Sequence, residues 1–357
     1  MKIVLVGPYP PPHGGISVHL YKVRQQLHKM GIHCRVVNVD PRAWESDQYI
    51  KVRGGVGLFF KLFSFARRGW TLHVHTNGHN IKSWLIALTA GLAGLPGPGN
   101  VLTLHSGLVP EYLAPGRFGT RWLARVSCLF YARVIAVSPK IEDALISVGI
   151  PAKRIEVLSS FLPVRPPADR FPLPVEGRRP ILGTTLFFRP EYGFPLLVEA
   201  VDQLRRRHPA MACLVVGSGE QQAEAEQLVA RRGLQKFFFL IGNLEHEKCL
   251  SVISQCDLFV RPALADGDAN CIREALALGI RVVASTVGYR PPEAILFQSG
   301  NANDLVLKID ETLSRPPATT PAAPTAGGIQ RLIDVYASLQ EEGTDGKTQP
   351  LTPHARS

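Results

Sequence analysis

The sequence predicts an α/β protein of two Rossmann-like, doubly wound domains, and three observations support this fold class. Short apolar runs alternate with helical segments along most of the chain, as expected for parallel strands that are covered on both faces. The alternation stops at a proline-rich stretch, residues 165–180, and then starts again. The chain has 357 residues, which is more than one hydrophobic core usually supports.

The first domain, residues 1–164, is predicted to begin with a strand, a loop and a helix. The strand is KIVLVG, the loop is GPYPPPHGG at 7–15, and the helix extends from Ser17 to Met30. An open parallel sheet with intervening helices explains the further apolar runs. These runs lie at 34–39, 71–76, 100–106 and 133–138.

The second domain, residues 181–313, repeats the pattern after the interdomain linker at 165–180. A linker rich in Pro, Ala and Thr is predicted at 314–327. Residues 328–342 have apolar side chains at helical spacing and are expected to form a terminal helix that packs back on the body. The polar tail at 343–357 has nothing to bury and is expected to be disordered.

The net charge of +11 is distributed unevenly, because all of the excess lies in residues 1–165. Within this half, residues 51–70 alternate phenylalanine with lysine and arginine. Such a segment could be a helix that binds an anionic membrane surface, or a core helix whose basic residues face water. The aromatic-rich basic motifs of nucleic-acid-binding proteins are missing from the sequence, so no nucleic-acid partner is expected.

Cysteine spacing and hydropathy indicate in which cellular compartment the protein is expected. The six cysteines form no CxxC pair and no zinc spacing, which is typical of free thiols in a reducing compartment. The N-terminus does not resemble a signal peptide, and no apolar run reaches about 18 residues. We therefore expect a cytoplasmic protein, with peripheral association at the inner face of the membrane left open.

The loop at 7–15 is the first candidate ligand site. Gly14 and Gly15 would let backbone amides and a helix N-terminus approach a phosphate group, at the carboxyl end of a parallel strand. The loop matches neither the GxGxxG pattern nor the P-loop pattern. A plain tight loop is therefore the alternative interpretation.

The segment ADGDANCIREALALGIRVVAS, residues 265–285, is the second candidate site. Asp266 and Glu274 are separated by seven residues and are predicted to lie where a strand end leads into a helix. Carboxylates in this position could accept hydrogen bonds from sugar or ribose hydroxyls, and helix amides could bind a diphosphate. Alternatively, Asp268 or Asn270 caps the helix and Glu274 is solvated.

At these residues the sequence resembles glycosyltransferase family 4, a family of retaining enzymes with the two-domain GT-B fold. The family's signature is an acidic residue, seven residues and then Glu-Ala, followed by an apolar run that ends in Gly. Asp266 and Glu274 occupy the two acidic positions. The glycine loop, His105 in TLHSG and the strand end Ala136–Ser138 are also similar to the family, so the likeness extends over most of the chain.

The resemblance implies a donor site for a nucleotide diphosphate sugar, with a glycan or lipid-linked glycan as acceptor. Three residues are expected at the catalytic centre: Asp266 against the transferred sugar, His105 beside it, and Glu274 on the ribose. Side chains that select the base are expected after the strand FFFLIG, around Asn243 to His246. The residues expected to bind the donor are Gly14, Gly15, Arg189, Asn243, Gly267, Asp268, Ala269, Asn270 and Glu274.

The sequence departs from the family at Asp266, where the family usually has Glu, and at the cations expected to bind the diphosphate. Phe187 and Tyr192, in GTTLFFRPEYG, stand where the family usually has an Arg and a Lys that contact the diphosphate. Arg189 is the nearby cation and is expected to reach the phosphates from a shifted position. The alternative is that Arg189 is a surface arginine, in which case donor affinity or catalysis is impaired.

His73, His75 and His79 lie close together in the sequence and could suggest a metal site. A matching further ligand is not evident, so no metal or other cofactor is expected. The implied function is retaining transfer of a hexose in cell-surface polysaccharide synthesis. The alternatives are a nucleotide-sugar-binding protein without turnover and a sugar-nucleotide epimerase on the same fold.

Overall fold

The computed structural model describes residues 1–11, 14–159, 164, 166–315 and 328–345, with side chains through 340. The chain forms two α/β units. The first contains Met1–Pro11, His19–Ser159 and the segment from Gly327, and the second contains Pro12–Val18 and Ser160–Ala326. Each unit has one parallel sheet, so the predicted α/β class with two Rossmann-like domains is confirmed.

The N-terminal half contains a seven-stranded sheet with the strand order β3-β2-β1-β4-β5-β6-β7. All its strand pairs are parallel, as the continuous apolar runs predict. The elements are β1 (Lys2–Gly7), α1 (Gly15–Lys29), β2 (His33–Asn38), β3 (Ile50–Lys51), α2 (Gly54–Ala66), β4 (Thr71–Thr76), α3 (Ile81–Ala93), β5 (Asn100–Leu104), α4 (Val109–Tyr112), α5 (Phe118–Cys128), β6 (Arg133–Ala136), α6 (Pro139–Ser147) and β7 (Ile155–Val157).

The second unit contains a six-stranded parallel sheet with the order β10-β9-β8-β11-β12-β13. The segment after this unit forms one more helix, α12. The elements are β8 (Ile181–Thr185), α7 (Phe194–Leu204), β9 (Ala212–Val216), α8 (Gln222–Arg231), β10 (Phe238–Gly242), α9 (His246–Ile253), β11 (Leu258–Arg261), α10 (Asn270–Ala277), β12 (Val282–Ser285), β13 (Ile295–Phe297), α11 (Ala302–Leu313) and α12 (Gly328–Asp345).

The two faces of strand β4 show how the first unit is packed. Leu72 and Val74 belong to an apolar cluster that α2, α3 and α5 cover. His73 and His75 point to the opposite face, because side chains alternate along a strand, and both are buried. Among the described residues, no helix is both long enough and apolar enough to cross a bilayer.

Helix α12 returns the chain to the first unit. The Tyr336 hydroxyl lies 2.5 Å from Nδ1 of His73, and Nε2 of His73 lies 2.7 Å from the Thr103 hydroxyl. The helix extends to Asp345, so the prediction that the tail begins at 343 is wrong by one turn. The predicted linker from 316 to 327 and the tail from 346 onwards lie outside the described residues.

We expect Tyr336→Phe to lower the free energy of unfolding of the first unit by about 1–3 kcal/mol, because it leaves a buried His73 nitrogen without its partner. The measurement is urea unfolding followed by tryptophan fluorescence. All four tryptophans, residues 44, 70, 84 and 122, lie in the first unit. Tyr21→Phe is the matched control, since no described residue bonds its hydroxyl. Equal effects of the two variants would contradict the prediction.

Candidate active site

The second unit brings Asp266 to the carboxyl end of its sheet. Strand β11 ends at Arg261, and the chain then forms a loop that leads into α10. Ligands of open parallel sheets bind at this end of the strands. Asp266 lies in this loop, and its side chain is 12% exposed.

Two arginines share the Asp266 carboxylate. Arg261 Nε donates to Oδ2 of Asp266 at 2.9 Å, and Arg290 donates to the same oxygen at 3.2 Å. The other carboxylate oxygen accepts the Gly267 amide at 3.1 Å. The side chains of Arg261 and Arg290 are only 8% and 4% exposed, so the triad is largely removed from water.

Backbone carbonyls fix the positions of both arginines. Arg261 also donates to the Thr185 carbonyl at the end of β8, at 2.8 Å. Arg290 donates to the Ser285 carbonyl at the end of β12, at 2.9 Å. The triad therefore links the ends of three adjacent strands, β8, β11 and β12.

Gly288 allows the loop after β12 to reach Asp266. Its φ is +75°, and a Cβ at this position would lie 2.3 Å from the Gly267 carbonyl oxygen. Only glycine fits this backbone conformation and this approach. The loop is held further by the Tyr289 amide, which donates to the Gly267 carbonyl at 2.8 Å.

Electrostatics keep Asp266 ionised. Burial alone would raise the pKa of Asp266, but the guanidinium groups of Arg261 and Arg290 outweigh burial and hold the pKa below its ordinary value. Two guanidinium groups and one carboxylate give the triad a net charge of +1 in a poorly solvated place. A buried charge of this kind is costly unless a counter-ion is bound.

Glu274 and Asp268 are also buried and paired. Oε1 of Glu274 lies 2.8 Å from Nε2 of His246, and the two atoms form a hydrogen bond. Asp268 accepts from Nε of Arg273 at 2.8 Å. The N-cap residue of α10 is Ala269, so neither Asp268 nor Asn270 caps the helix there, and Glu274 is not solvated. The capping interpretation is therefore wrong.

Arg189 lies in the loop after β8, at the same end of the second sheet as Asp266. Its side chain is 49% exposed, and its guanidinium lies 3.8 Å from Glu220. Among the described residues, the cations that contact Asp266 are Arg261 and Arg290. Arg261 also lies over the ring of Tyr192, with 4.9 Å from the guanidinium carbon to the ring centroid. A cation from β11 thus lies beside the position at which the family usually has its lysine.

The remaining predicted donor residues lie in loops or at helix starts. Gly14 precedes α1, its amide donates to the Ser17 hydroxyl at 2.8 Å, and the space beside the Gly15 Cα is open. Asn243 is exposed in the loop between β10 and α9. His246 begins α9, which carries it to Glu274.

His105 belongs to a group of histidines in the first unit. It follows β5, and its Nε2 lies 3.1 Å from Nδ1 of His75. Ring nitrogens of His19, His75 and His105 lie within 4.8 Å of one another. Burial, and then the neighbouring histidines, lower the pKa of His75 and His105 well below the ordinary value, so both rings are neutral.

This group differs from the set that the sequence suggested. His73 is held by Tyr336 and Thr103, and the three nitrogens that could hold a metal ion come from His19, His75 and His105 rather than from His73, His75 and His79. Neutral imidazoles can ligate a metal or hydrogen-bond to a hydroxyl group. That no metal is needed stays a prediction.

Sequence reasoning missed Arg261, Arg290 and the pairing of His246 with Glu274. A signal for Arg261 was available, because it directly follows the apolar run LFV at 258–260, where the repeated pattern of the second domain allows a parallel strand to end. Arg290 had no comparable signal. Its position depends on the backbone turn at Gly288, which brings together segments that lie more than twenty residues apart.

Two family profiles match the chain in succession. Residues 13–164 match the profile described as Glycosyltransferase Family 4, and residues 167–326 match the one described as Glycosyl transferases group 1. The two α/β units agree with both matches, and Asp266 and Glu274 lie within the second. The chain belongs to this family of GT-B glycosyltransferases.

Relatives and solved structures extend this finding. The chain is 22% identical over 303 residues to the phosphatidylinositol N-acetylglucosaminyltransferase gpi3 subunit of Schizosaccharomyces pombe, covering 79% of this chain and 65% of the relative. It is 30% identical over 154 residues to a 2-deoxystreptamine glucosyltransferase of Streptomyces kanamyceticus, covering 41% and 39%. The chain thus matches less than two thirds of the length of these relatives.

Two solved structures have the same fold. The Anabaena protein Alr3699/HepE, solved in complex with UDP-glucose, has a TM-score of 0.69 at 17% identity, with 97% of this chain and 99% of that chain covered. Sucrose-phosphate synthase of Thermosynechococcus elongatus has a TM-score of 0.67 at 21% identity, with 97% and 98% covered.

We expect Asp266→Asn to lower the free energy of unfolding of the second unit by about 3–5 kcal/mol at pH 7, because it leaves two buried guanidinium groups unpaired. The folded-state pKa of Asp266 lies below the unfolded value of about 3.9. The stabilisation is therefore fully present above about pH 5 and is lost as the pH falls through the folded pKa. The difference in the free energy of unfolding between wild type and variant should therefore become smaller as the pH falls.

The measurement is urea unfolding by circular dichroism between about pH 3 and 7, where the pH window follows from the ordinary aspartate pKa. Glu220→Gln is the matched control, because it removes the same kind of charge from an exposed arginine pair in the same unit. The control should lower the free energy of unfolding by less than about 1 kcal/mol. The interpretation fails if Asp266→Asn costs no more than Glu220→Gln.

Proposed function

We propose that this protein is a retaining glycosyltransferase that moves a hexose from a nucleotide diphosphate sugar to a glycan or lipid-linked glycan acceptor. The single observation that supports this proposal best is the buried triad of Arg261, Asp266 and Arg290 at the carboxyl end of the second sheet. Its net positive charge favours binding of an anion, and a diphosphate is the anion that a nucleotide sugar brings.

In this proposal Arg261 and Arg290 bind the diphosphate and replace the family's usual Arg and Lys. Guanidinium groups bind phosphate oxygens with two parallel hydrogen bonds, which also orients the leaving group. Both arginines are preorganised by bonds to backbone carbonyls, so they need little rearrangement when charge develops. Amides at the start of α10, from Ala269 and Asn270, would add further donors.

Glu274 would bind the ribose hydroxyls of the donor. Its Oε1 is held by His246 at 2.8 Å, which fixes the position of the carboxylate. Asp266 would act by positioning the two arginines beside the transferred sugar. His105, as a neutral imidazole, would donate or accept a hydrogen bond with a sugar hydroxyl.

Catalysis would proceed by front-face attack. The bond between the anomeric carbon and the phosphate oxygen breaks, and the acceptor oxygen forms the new bond on the same face. The acceptor proton passes to the departing phosphate oxygen. Arg261 and Arg290 stabilise the negative charge that develops on the diphosphate, so positioning and electrostatics supply the catalysis and no metal is expected.

The acceptor is inferred from weaker observations. The relatives' names give a phosphatidylinositol and a 2-deoxystreptamine as acceptors, so similar chains serve both lipid-linked and small polar acceptors. We propose a glycan or lipid-linked glycan in cell-surface polysaccharide synthesis, with the enzyme in the cytoplasm. A protein that binds nucleotide sugars without turnover is the second candidate, because Phe187 and Tyr192 replace the family's usual cations.

We expect a nucleotide sugar to raise the melting temperature of the protein and to release nucleoside diphosphate when membrane extract is added as acceptor. Arg290→Gln should weaken donor affinity about tenfold or more, because it removes a charge-assisted hydrogen bond to the diphosphate. The measurement is calorimetric titration with a panel of nucleotide sugars, followed by nucleotide-release assays.

Arg189→Gln is the matched control, since it removes the same group from an exposed position in the same unit. A large loss of affinity in Arg189→Gln alone would assign the phosphate contact to Arg189 instead. Donor binding without nucleotide release under any acceptor condition would favour the binding protein.

The stereochemistry of the product tests the retaining mechanism. Front-face attack keeps the anomeric configuration of the donor sugar, so an α-linked donor should give an α-linked product. The measurement is the proton NMR coupling constant of the anomeric proton in the product. An inverted configuration would exclude front-face attack, while leaving the donor site as proposed.

A further inference from the structure

We propose that the outer surfaces of α2, α3 and α5 form one binding surface for an anionic phospholipid bilayer. This surface, which we call the outer helix layer, lies within the first unit. The proposal does not depend on the transferase reaction, because none of its residues belongs to the candidate active site.

The three helices are neighbours on one face of the first sheet. Helix α3 packs against both α2 and α5. All three contribute to the same apolar cluster, through residues such as Leu62, Trp84 and Ala124. The inner sides of the helices are therefore fully used by the core, and their outer sides face solvent.

Apolar side chains also cover the outer sides. In α2, Val56 and Phe60 are 73% and 66% exposed, one turn apart. In α3, Ile81 and Leu85 repeat this spacing at 61% and 50%. Residues at i and i+4 lie on the same side of a helix, so each helix presents an outward apolar stripe.

Helix α5 has the most exposed stripe of the three. Phe118 is 82% exposed, and Trp122, one turn later, is 67% exposed. Leu129, directly after the helix, continues the stripe at 61%. Outward apolar stripes on three adjacent helices differ from the single scattered apolar residues of an ordinary surface.

Charge in this region is almost entirely positive. Between Asp47 and Glu142 the sequence contains a single acidic residue, Glu111, and eleven lysines and arginines. Helices α2, α3 and α5 contain no acidic residue at all. Basic side chains such as Lys61, Lys82 and Arg125 therefore accompany the apolar stripes without acidic neighbours on their own helices.

The combination fits a lipid surface better than another protein surface. Apolar side chains can enter the boundary between headgroups and acyl chains, while lysine and arginine bind the anionic headgroups. A second copy of this chain would bring two basic layers together, and like charges across an interface are unfavourable. The charge pattern therefore favours an anionic bilayer over self-association.

A shallow groove beside Trp122 could receive a headgroup. Arg121, Arg125 and Ile146 line it together with Trp122. Arg121 is anchored through bonds to the carbonyls of Leu113 and Ser147. The groove places two guanidinium groups next to an exposed aromatic ring, which is the arrangement that suits an interfacial phosphate.

The first test is co-sedimentation of the full chain with vesicles. We expect binding to vesicles that contain phosphatidylglycerol at least about tenfold more tightly than to pure phosphatidylcholine, and a decline as salt rises because surface charge is screened. The triple variant Phe60→Ser, Leu85→Ser, Trp122→Ser should lower the partition coefficient at least about tenfold.

The matched control is Leu264→Ser, Leu296→Ser, Leu307→Ser, which removes three exposed apolar side chains from the second unit. It should bind vesicles as the wild type does. The proposal is overturned if the wild type does not bind anionic vesicles, if both triple variants lose binding equally, or if the wild type is a dimer that the first variant dissociates.

A second test measures tryptophan fluorescence of the wild-type protein in the presence of brominated lipid. Brominated phosphatidylglycerol should quench the fluorescence of Trp122, and Trp122→Phe should abolish that quenching. Trp44→Phe is the control, because Trp44 is 63% exposed in the same unit but lies outside the three helices. Quenching that persists in Trp122→Phe and disappears in Trp44→Phe would place the lipid contact elsewhere and overturn the proposal.

Discussion

The shared carboxylate of Asp266 is the interaction on which the geometry of the second unit's site depends. One oxygen accepts from two arginines, and each arginine also bonds to a backbone carbonyl at the end of a different strand. Neither arginine could remain buried without this carboxylate, because an unpaired internal charge is strongly unfavourable. The loop before α10, the turn at Gly288 and the ends of three strands are therefore held in one arrangement.

The fold could be predicted from the sequence because its main signals are local. Apolar runs such as KIVLVG and RVVAS indicate buried parallel strands wherever they occur, and the structure has strands there. The sequence did not indicate β3, β7 and β13, which have only two or three residues each. In such short strands pairing with neighbours outweighs any periodic pattern. Helix α11 was also not predicted, although its N-cap Asn301 was a usable signal.

The candidate site could be predicted only in part, for a physical reason. Asp266 and Glu274 lie in the same segment, so the resemblance to the family signature could identify both residues. The partners of these carboxylates come from other segments: Arg290 from the loop after β12 and His246 from the start of α9. Arg189 was favoured because it is close in sequence to the missing cations, whereas Arg261 reaches Tyr192 from a neighbouring strand.

The return of α12 to the first unit has a consequence for how the chain folds during synthesis. Apart from the short segment Pro12–Val18, the second unit is an insertion between the body of the first unit and its last helix. The ribosome therefore completes the second unit before the residues that cover His73 exist. Until α12 emerges, one face of the first sheet lacks Tyr336 and Leu339, both of which are buried in the finished protein. Apolar surface that is exposed in this way makes an incompletely synthesised chain prone to aggregation.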